Sequence, residues 1–132
     1  MKQFIWPVRV YYEDTDAGGV VYYANYLKFY ERSRTEMLRN LGFEQDALIR
    51  QHGIMFVVRS VQVDYLQPAR FNELLQVGSE VSLVKPASLV FTQSIQRNKN
   101  ILSKAIVRIA CLDSGTMRPK IIPEDLLLQL RK

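Results

Sequence analysis

The sequence predicts an α+β domain in which one long helix is wrapped by a curved, antiparallel, five-stranded sheet. Three observations carry this expectation. Apolar residues from about Tyr23 to Leu41 recur at helical spacing, whereas those from Met55 to Cys111 alternate with period two. The segments between the alternating runs, QPARFN, KPAS and NKN, are turn chemistry, so successive strands are expected to be antiparallel neighbours, at least in the later part of the sheet. A single helix with one broad apolar face can be buried only where a sheet curls around it.

The elements follow in order. Residues 4–14 read as a first strand through Ile5, Val8, Val10 and Tyr12, with Pro7 placing its start at a sheet edge or a bulge. DTDAGG breaks that pattern. In the long helix Tyr23, Tyr26, Tyr30, Met37 and Leu41 fall near one face, flanked by Leu27 and Leu38, and Gly42 is a natural stop. Ser33 interrupts the stripe with a small residue that lets a sheet approach closely. Arg32 and Glu36 are expected to pair on the outer side. FEQDALIRQHG reads as a short second helix closed by His52 and ending at Gly53. A meander of four strands is then expected, through Met55–Tyr65, Leu75–Leu83, Leu89–Ile95 and Ile101–Cys111. Beyond Pro123 a short amphipathic helix packs at an edge. The outer sheet face and the edges call for cover, which a homo-oligomer supplies.

The bulk numbers bound the function. A chain of 132 residues, 48% hydrophobic and 23% charged, without repeats, is expected to form one domain over residues 1–132. The N-terminus lacks an apolar core of signal-peptide length, and no apolar run approaches the roughly 18 residues of a membrane span. Cys111 is the only cysteine, which excludes an intrachain disulfide and suits a buried small hydrophobe in a reducing cytoplasm. The net charge of +5 favours anionic partners. The basic residues are scattered from Lys2 to Lys132, without zinc-ligand spacing or an aromatic-basic ribonucleoprotein motif. Neither a metal site nor a nucleic-acid partner is therefore expected, the latter resting on net charge alone.

The stretch YYEDTDAGGVVYYANYLKFYER, residues 11–32, places two acids and two glycines directly before the helix. A helix starting near Tyr22 to Asn25 presents unpaired N–H groups and the positive end of its dipole, a site for a carbonyl oxygen that becomes negative during reaction. Asp16 can deliver a carboxylate to the same carbonyl, as general base toward water or as direct nucleophile. Gly18 and Gly19 allow close approach of a ligand to the backbone, and with Val20 and Asn25 they are the candidate substrate-contacting positions. This is acyl-transfer machinery without serine, cysteine or metal. The competing reading is an Asx-turn or helix cap, which fits Asp14 better than Asp16. His52 is the sole histidine, and G-x-S-x-G is absent, which excludes a serine triad of that type. Tyr22, Tyr26 and Tyr30 either line a pocket or fill the core, the core being the commoner fate of such a stripe. Asp64 and Tyr65 are read as sheet residues that can alternatively reach a neighbouring subunit's site.

RVYYEDTDAGGVVYYANYLKFYERSR, with the LGF that follows, resembles the signature of the hotdog-fold acyl-CoA thioesterases, in the 4-hydroxybenzoyl-CoA thioesterase-like branch that includes the Tol-Pal-associated YbgC group. The resemblance extends over essentially the whole chain, including VRSVQVDYLQPARFNELLQV. It implies hydrolysis of an acyl-CoA to a free acid and coenzyme A, with no cofactor. It also implies that Asp16 is the catalytic carboxylate, that Tyr12 is an active-site tyrosine, and that Tyr23 stands where a backbone N–H polarises the thioester carbonyl. Many YbgC-like proteins read VVYHANY, with histidine where this chain has Tyr23; a backbone role survives that exchange and an imidazole role does not. The family implies dimers that pair into tetramers, acyl carrier protein as a further partner, and a context in the Tol-Pal envelope system or lipid metabolism. Arg59, Arg70, Lys85, Arg97, Lys99 and Lys104 are candidates for the coenzyme A phosphates or an acidic carrier protein. The alternative is a hotdog module that grips an acyl chain or a carrier protein with weak or no hydrolysis. Tyr23 favours that alternative; Asp16 and Tyr12 speak against it.

Overall fold

The period-two runs after Gly53 become four long strands, β2 (Ile54–Tyr65), β3 (Leu74–Lys85), β4 (Ser88–Arg97) and β5 (Asn100–Asp113). With β1 (Phe4–Arg9) they make one antiparallel sheet of order β1-β3-β4-β5-β2 in the computed structural model, which describes residues 3–132. The helices are α1 (Asn25–Asn40), α2 (Gln45–His52) and α3 (Glu124–Leu130).

The sheet corrects the expected four-strand meander. β3, β4 and β5 are joined by tight hairpins and pair in sequence, but β2 lies at the far edge beside β5. The reason is in the QPARFN segment. A turn does form within it at Phe71–Asn72, where Glu73 N–H donates to the Arg70 carbonyl at 3.3 Å, but it does not join β2 to β3 as a hairpin, because the flanking backbone bonds elsewhere: Val21 N–H donates to the Ala69 carbonyl at 2.8 Å, Val10 N–H to the Glu73 carbonyl at 2.9 Å, and Leu66 N–H to the Leu102 carbonyl at 2.8 Å. The linker thus crosses the end of the sheet and braces the loop that precedes α1.

β1 is also shorter than expected. The expected strand over residues 4–14 stops at Arg9, and Tyr12–Asp14 form one 3-10 turn. Asp14 Oδ2 accepts the Tyr11 N–H at 2.8 Å, and the Thr15 hydroxyl donates to the Tyr12 carbonyl at 2.7 Å, so local polar bonds replace ladder bonds there. Pro7 sits on this edge strand opposite Gln76, where its missing donor is tolerated.

α1 buries Tyr26, Phe29, Tyr30, Ser33, Met37 and Leu38 against the sheet. Tyr23 lies before the helix begins and is 61% exposed, so helical spacing does not govern it; Phe29, at 0% exposure, takes the core place that the expected stripe missed. Burying a side chain of that size contributes about 1.5–3 kcal/mol. Ser33 does permit close approach: its Oγ is 2.7 Å from Ser79 Oγ and donates to the Val77 carbonyl at 3.2 Å. Gln93 completes this buried polar patch, donating through Nε2 to Ser79 Oγ (2.7 Å) and the Tyr30 carbonyl (3.0 Å), while its Oε1 accepts from Arg34 at 2.9 Å. Glu36 pairs with Arg39 rather than with Arg32, a correction that follows from Arg39 lying between Glu36 and Glu44 and bonding both.

α2 ends as expected at Gly53, which adopts φ +63°. α3 buries Leu126 and Leu130. Cys111 is fully buried, and burial pushes its thiol up to about 11. Among the described residues no helix is long and apolar enough to cross a membrane.

Candidate active site

The acid-glycine segment folds into a small closed loop. Thr15 and Val21 bridge its base; inside, Asp16 N–H donates to the Val20 carbonyl at 2.9 Å and Gly19 N–H to the Asp16 carbonyl at 3.0 Å. Gly19 takes φ +80°, a conformation that side-chain-bearing residues rarely adopt. Gly18 N–H donates to Asp16 Oδ1 at 2.8 Å, which orients the carboxylate. Asp16 Oδ2 has no partner among the described residues, and the whole side chain stands exposed at the loop tip.

Asp14 organises rather than reacts. Besides capping Tyr11, its carbonyl accepts two donors, the Tyr22 N–H at 2.9 Å and Asn25 Nδ2 at 2.8 Å. Asn25 therefore gives its amide nitrogen to the loop, fixing the acid-bearing segment to the first residue of α1. Val20 is half-buried and bridges Arg70 through its main chain.

At the helix entrance the carbonyls are occupied and the amides are open. Tyr22 O accepts from Asn25 N–H at 2.8 Å, and Tyr23 O accepts from Tyr26 N–H at 3.3 Å and from the Tyr65 hydroxyl at 3.1 Å. The N–H groups of Tyr23 and Ala24 meet no acceptor among the described residues. Ala24 provides no capping side chain, so these donors stay uncapped at the positive end of the helix dipole.

Four tyrosines surround this entrance. The Tyr22 and Tyr23 rings lie 4.8 Å apart, Tyr23 and Tyr65 meet edge-on at 6.3 Å, and Tyr65 meets Tyr26 at 5.1 Å. The Tyr22 phenol is raised above its ordinary value, first by the neighbouring Tyr23 hydroxyl and last by the charge of Asp16. Tyr26 and Tyr30 belong to the core: Tyr26 accepts the Ala69 N–H at 3.0 Å, and Tyr30 donates to Ser103 Oγ at 2.7 Å.

The structure thus places Asp16, Gly18 and Gly19 in one loop, and the Asp14 carbonyl ties that segment to Tyr22 and Asn25 at the helix entrance, next to Tyr23. Tyr12 sits on the rim, 79% exposed with its ring edge-on to Phe71, and is tied to the loop through its carbonyl. The sequence reads Tyr65 as a sheet residue that can alternatively reach a neighbouring subunit's site; within this chain its hydroxyl meets the Tyr23 carbonyl. Of the basic candidates, Arg97 is already paired with Glu73 at 2.9 Å and donates to the Pro68 carbonyl at 3.2 Å, bracing the crossing linker. Among the described residues no three His, Cys, Asp or Glu side chains cluster as a metal ion would require.

A single helix held in a curved five-stranded antiparallel sheet, with a carboxylate loop at the helix N-terminus, defines a hotdog-fold protein of the thioesterase type. The chain belongs to the thioesterase-like superfamily, in its YbgC group: the family's model matches residues 10–130. It is 52% identical over 122 residues to the acyl-CoA thioesterase YbgC of Haemophilus influenzae, covering 92% of this chain and 90% of that one. It is 47% identical over 130 residues to the acyl-CoA thioester hydrolase YbgC of Escherichia coli O6:H1, covering 98% and 96%. Among solved structures, a "Probable Thioesterase" from Bartonella henselae superimposes with a TM-score of 0.88 at 34% identity, covering 92% of this chain and 100% of that one.

Proposed function

We propose that the chain is an acyl-CoA thioesterase in which the Asp16 carboxylate and the open amides at the start of α1 act on one thioester carbonyl. The observation that carries this reading is the pairing of an exposed, oriented carboxylate with N–H groups that have no acceptor of their own. Kinship with relatives named as acyl-CoA thioesterases supports the substrate class.

The chemistry follows from the geometry. The thioester oxygen docks on the Tyr23 and Ala24 amides, which stabilise the charge it gains. Asp16 takes a proton from water as the water oxygen attacks the carbonyl carbon, or attacks that carbon itself and forms an anhydride that water then opens. On the first route, collapse of the tetrahedral intermediate breaks the C–S bond and the departing coenzyme A thiolate takes the proton held by Asp16; on the second, the thiolate leaves as the anhydride forms, and the water that then opens the anhydride supplies its proton. Gly18 and Gly19 leave room for the acyl group beside the loop.

Asp16 is exposed in a single chain, and the β2 edge carries exposed Val58 and Val61 beside unpaired backbone. A homo-oligomer, a dimer or a pair of dimers, encloses the site in this reading, and the protein works in the cytoplasm. Acyl carrier protein is a second thioester donor to test. Retention of the carboxylate and the open amides favours catalysis over the alternative of a binding module.

The test is thiol release from short, long and aromatic acyl-CoAs and from acyl carrier protein thioesters. Turnover of any acyl-CoA supports the reading. Tight acyl-CoA binding with no turnover across the panel replaces it with the binding module.

A further inference from the structure

The strongest uncommitted feature is the hydroxyl of Tyr65, which reaches from the last residue of β2 to the main chain of the helix entrance. We propose that Tyr65 is a positioning residue for the oxyanion site, fixing the Tyr23–Ala24 peptide so that the two open amides converge on one oxygen. The proposal rests on the reading of those amides given above.

The direction of an N–H is set by the peptide planes on either side of its residue. At Tyr23 the preceding plane is fixed by the Asn25 N–H bonded to Tyr22 O at 2.8 Å. The following plane has one helical bond, from Tyr26 N–H, and at 3.3 Å it is long; the next bond, Leu27 N–H to Ala24 O, is 3.2 Å. The first turn of α1 holds itself weakly. Tyr65 adds a second donor to the Tyr23 carbonyl at 3.1 Å, from a residue far away in sequence. Donation to that carbonyl also polarises the N–H at the other end of the same peptide, which is the Ala24 amide.

Tyr65 is well placed to impose geometry because its own position is set by the sheet. It pairs with Ser103 on β5, and the next residue, Leu66, donates its N–H to Leu102 at 2.8 Å. Its ring makes T-shaped contacts with Tyr23 and Tyr26. Burial raises its phenol, so the hydroxyl keeps its proton and remains a donor through the neutral range. The segment just beyond it bonds the same region twice more, through Ala69 N–H to the Tyr26 hydroxyl at 3.0 Å and Ala69 O to Val21 N–H at 2.8 Å. Tyr65 is thus the side-chain member of a clamp whose other members are main chain.

Tyr65→Phe removes the donor and keeps the ring. The expected result is a fall in kcat of about tenfold with KM changed less than about twofold, because the amides matter most when charge develops. The amide proton resonances of Tyr23 and Ala24 shift in the variant, whereas those of α1 beyond its second turn do not. Tyr30→Phe, which deletes a buried hydroxyl bonded to Ser103, serves as the structural control: lower melting temperature and unchanged kcat. Replacement of Tyr65 by p-aminophenylalanine restores a donor at the same place and is expected to recover kcat. Unchanged kcat in Tyr65→Phe overturns the proposal, as does a loss that the amino analogue fails to restore. If Asp16→Asn abolishes turnover while Tyr65→Phe does not, only the role of Tyr65 falls; if Asp16→Asn is fully active, the reading of the site falls first.

Discussion

The Gly18 amide donates to Oδ1 of Asp16 at 2.8 Å, and a Cβ on Gly18 would stand 3.2 Å from that same oxygen. Gly18 is therefore required for where the carboxylate sits and not for backbone conformation, since its φ is not among the positive ones. The prediction is that Gly18→Ala pushes the carboxylate aside by a few tenths of an ångström. A misplacement of that kind lowers kcat by about tenfold or more. Thermal denaturation should show the melting temperature nearly unchanged.

Gly19 differs from its neighbour. At φ +80° with open space around it, its Cβ would meet nothing but the backbone would be strained. Gly19→Ala is expected to cost about 1 kcal/mol or somewhat more in stability, read by urea denaturation. Comparing the two alanine variants separates a steric effect on the carboxylate from a conformational effect on the loop.

Gln93 tests what holds α1 onto the sheet. It is 2% exposed and bonds Ser79, the Tyr30 carbonyl and Arg34 at once. Gln93→Ala leaves a cavity and takes one hydrogen-bond partner from each of these groups, Ser79 keeping Ser33, and a loss of about 3 kcal/mol is expected from the lost polar bonds and lost packing together. Chemical denaturation measures it directly.

Cys111 and Tyr30 set the alkaline limit. Burial raises the Cys111 thiol to about 11 and the Tyr30 phenol above its ordinary value. A group whose folded pKa is raised stabilises fully below its unfolded pKa and loses that contribution as pH climbs toward the folded value. Stability should therefore decline from about pH 8.5 upward, where an unfolded thiol begins to ionise. Folded protein should also resist thiol alkylation at pH 8 and react once urea unfolds it.

Most of the architecture was legible because period and punctuation are local properties. The amphipathic stripe of α1, the small Ser33 facing Ser79, the Gly53 stop and the strands after it all read from residues within a few positions of one another. The place of β2 did not, because strand order depends on where residues 66–73 find hydrogen-bond partners, and those partners lie on the loop and on β5. The site divided in the same way. That Asp16, Gly18 and Gly19 share one loop, and that Asp14 caps it, was legible because those residues are adjacent in sequence. The bond from Tyr65 to the Tyr23 carbonyl of its own chain is not local in sequence and could not be read there. Tyr23 was placed on the helical stripe because the repeat was started two residues before Asn25, where the helix begins.

The central claim is that the Asp16 carboxylate does the chemistry, and Asp16→Asn tests it most directly. Asparagine keeps an oxygen that can accept the Gly18 N–H, so the loop should stay folded, which circular dichroism and the melting temperature will verify. In Asp16→Asn, kcat on the preferred acyl-CoA is expected to fall by about 10²–10⁴ while binding of the acyl-CoA persists. Retention of turnover within a few-fold of wild type in that folded variant would contradict it and move the catalytic role away from the carboxylate.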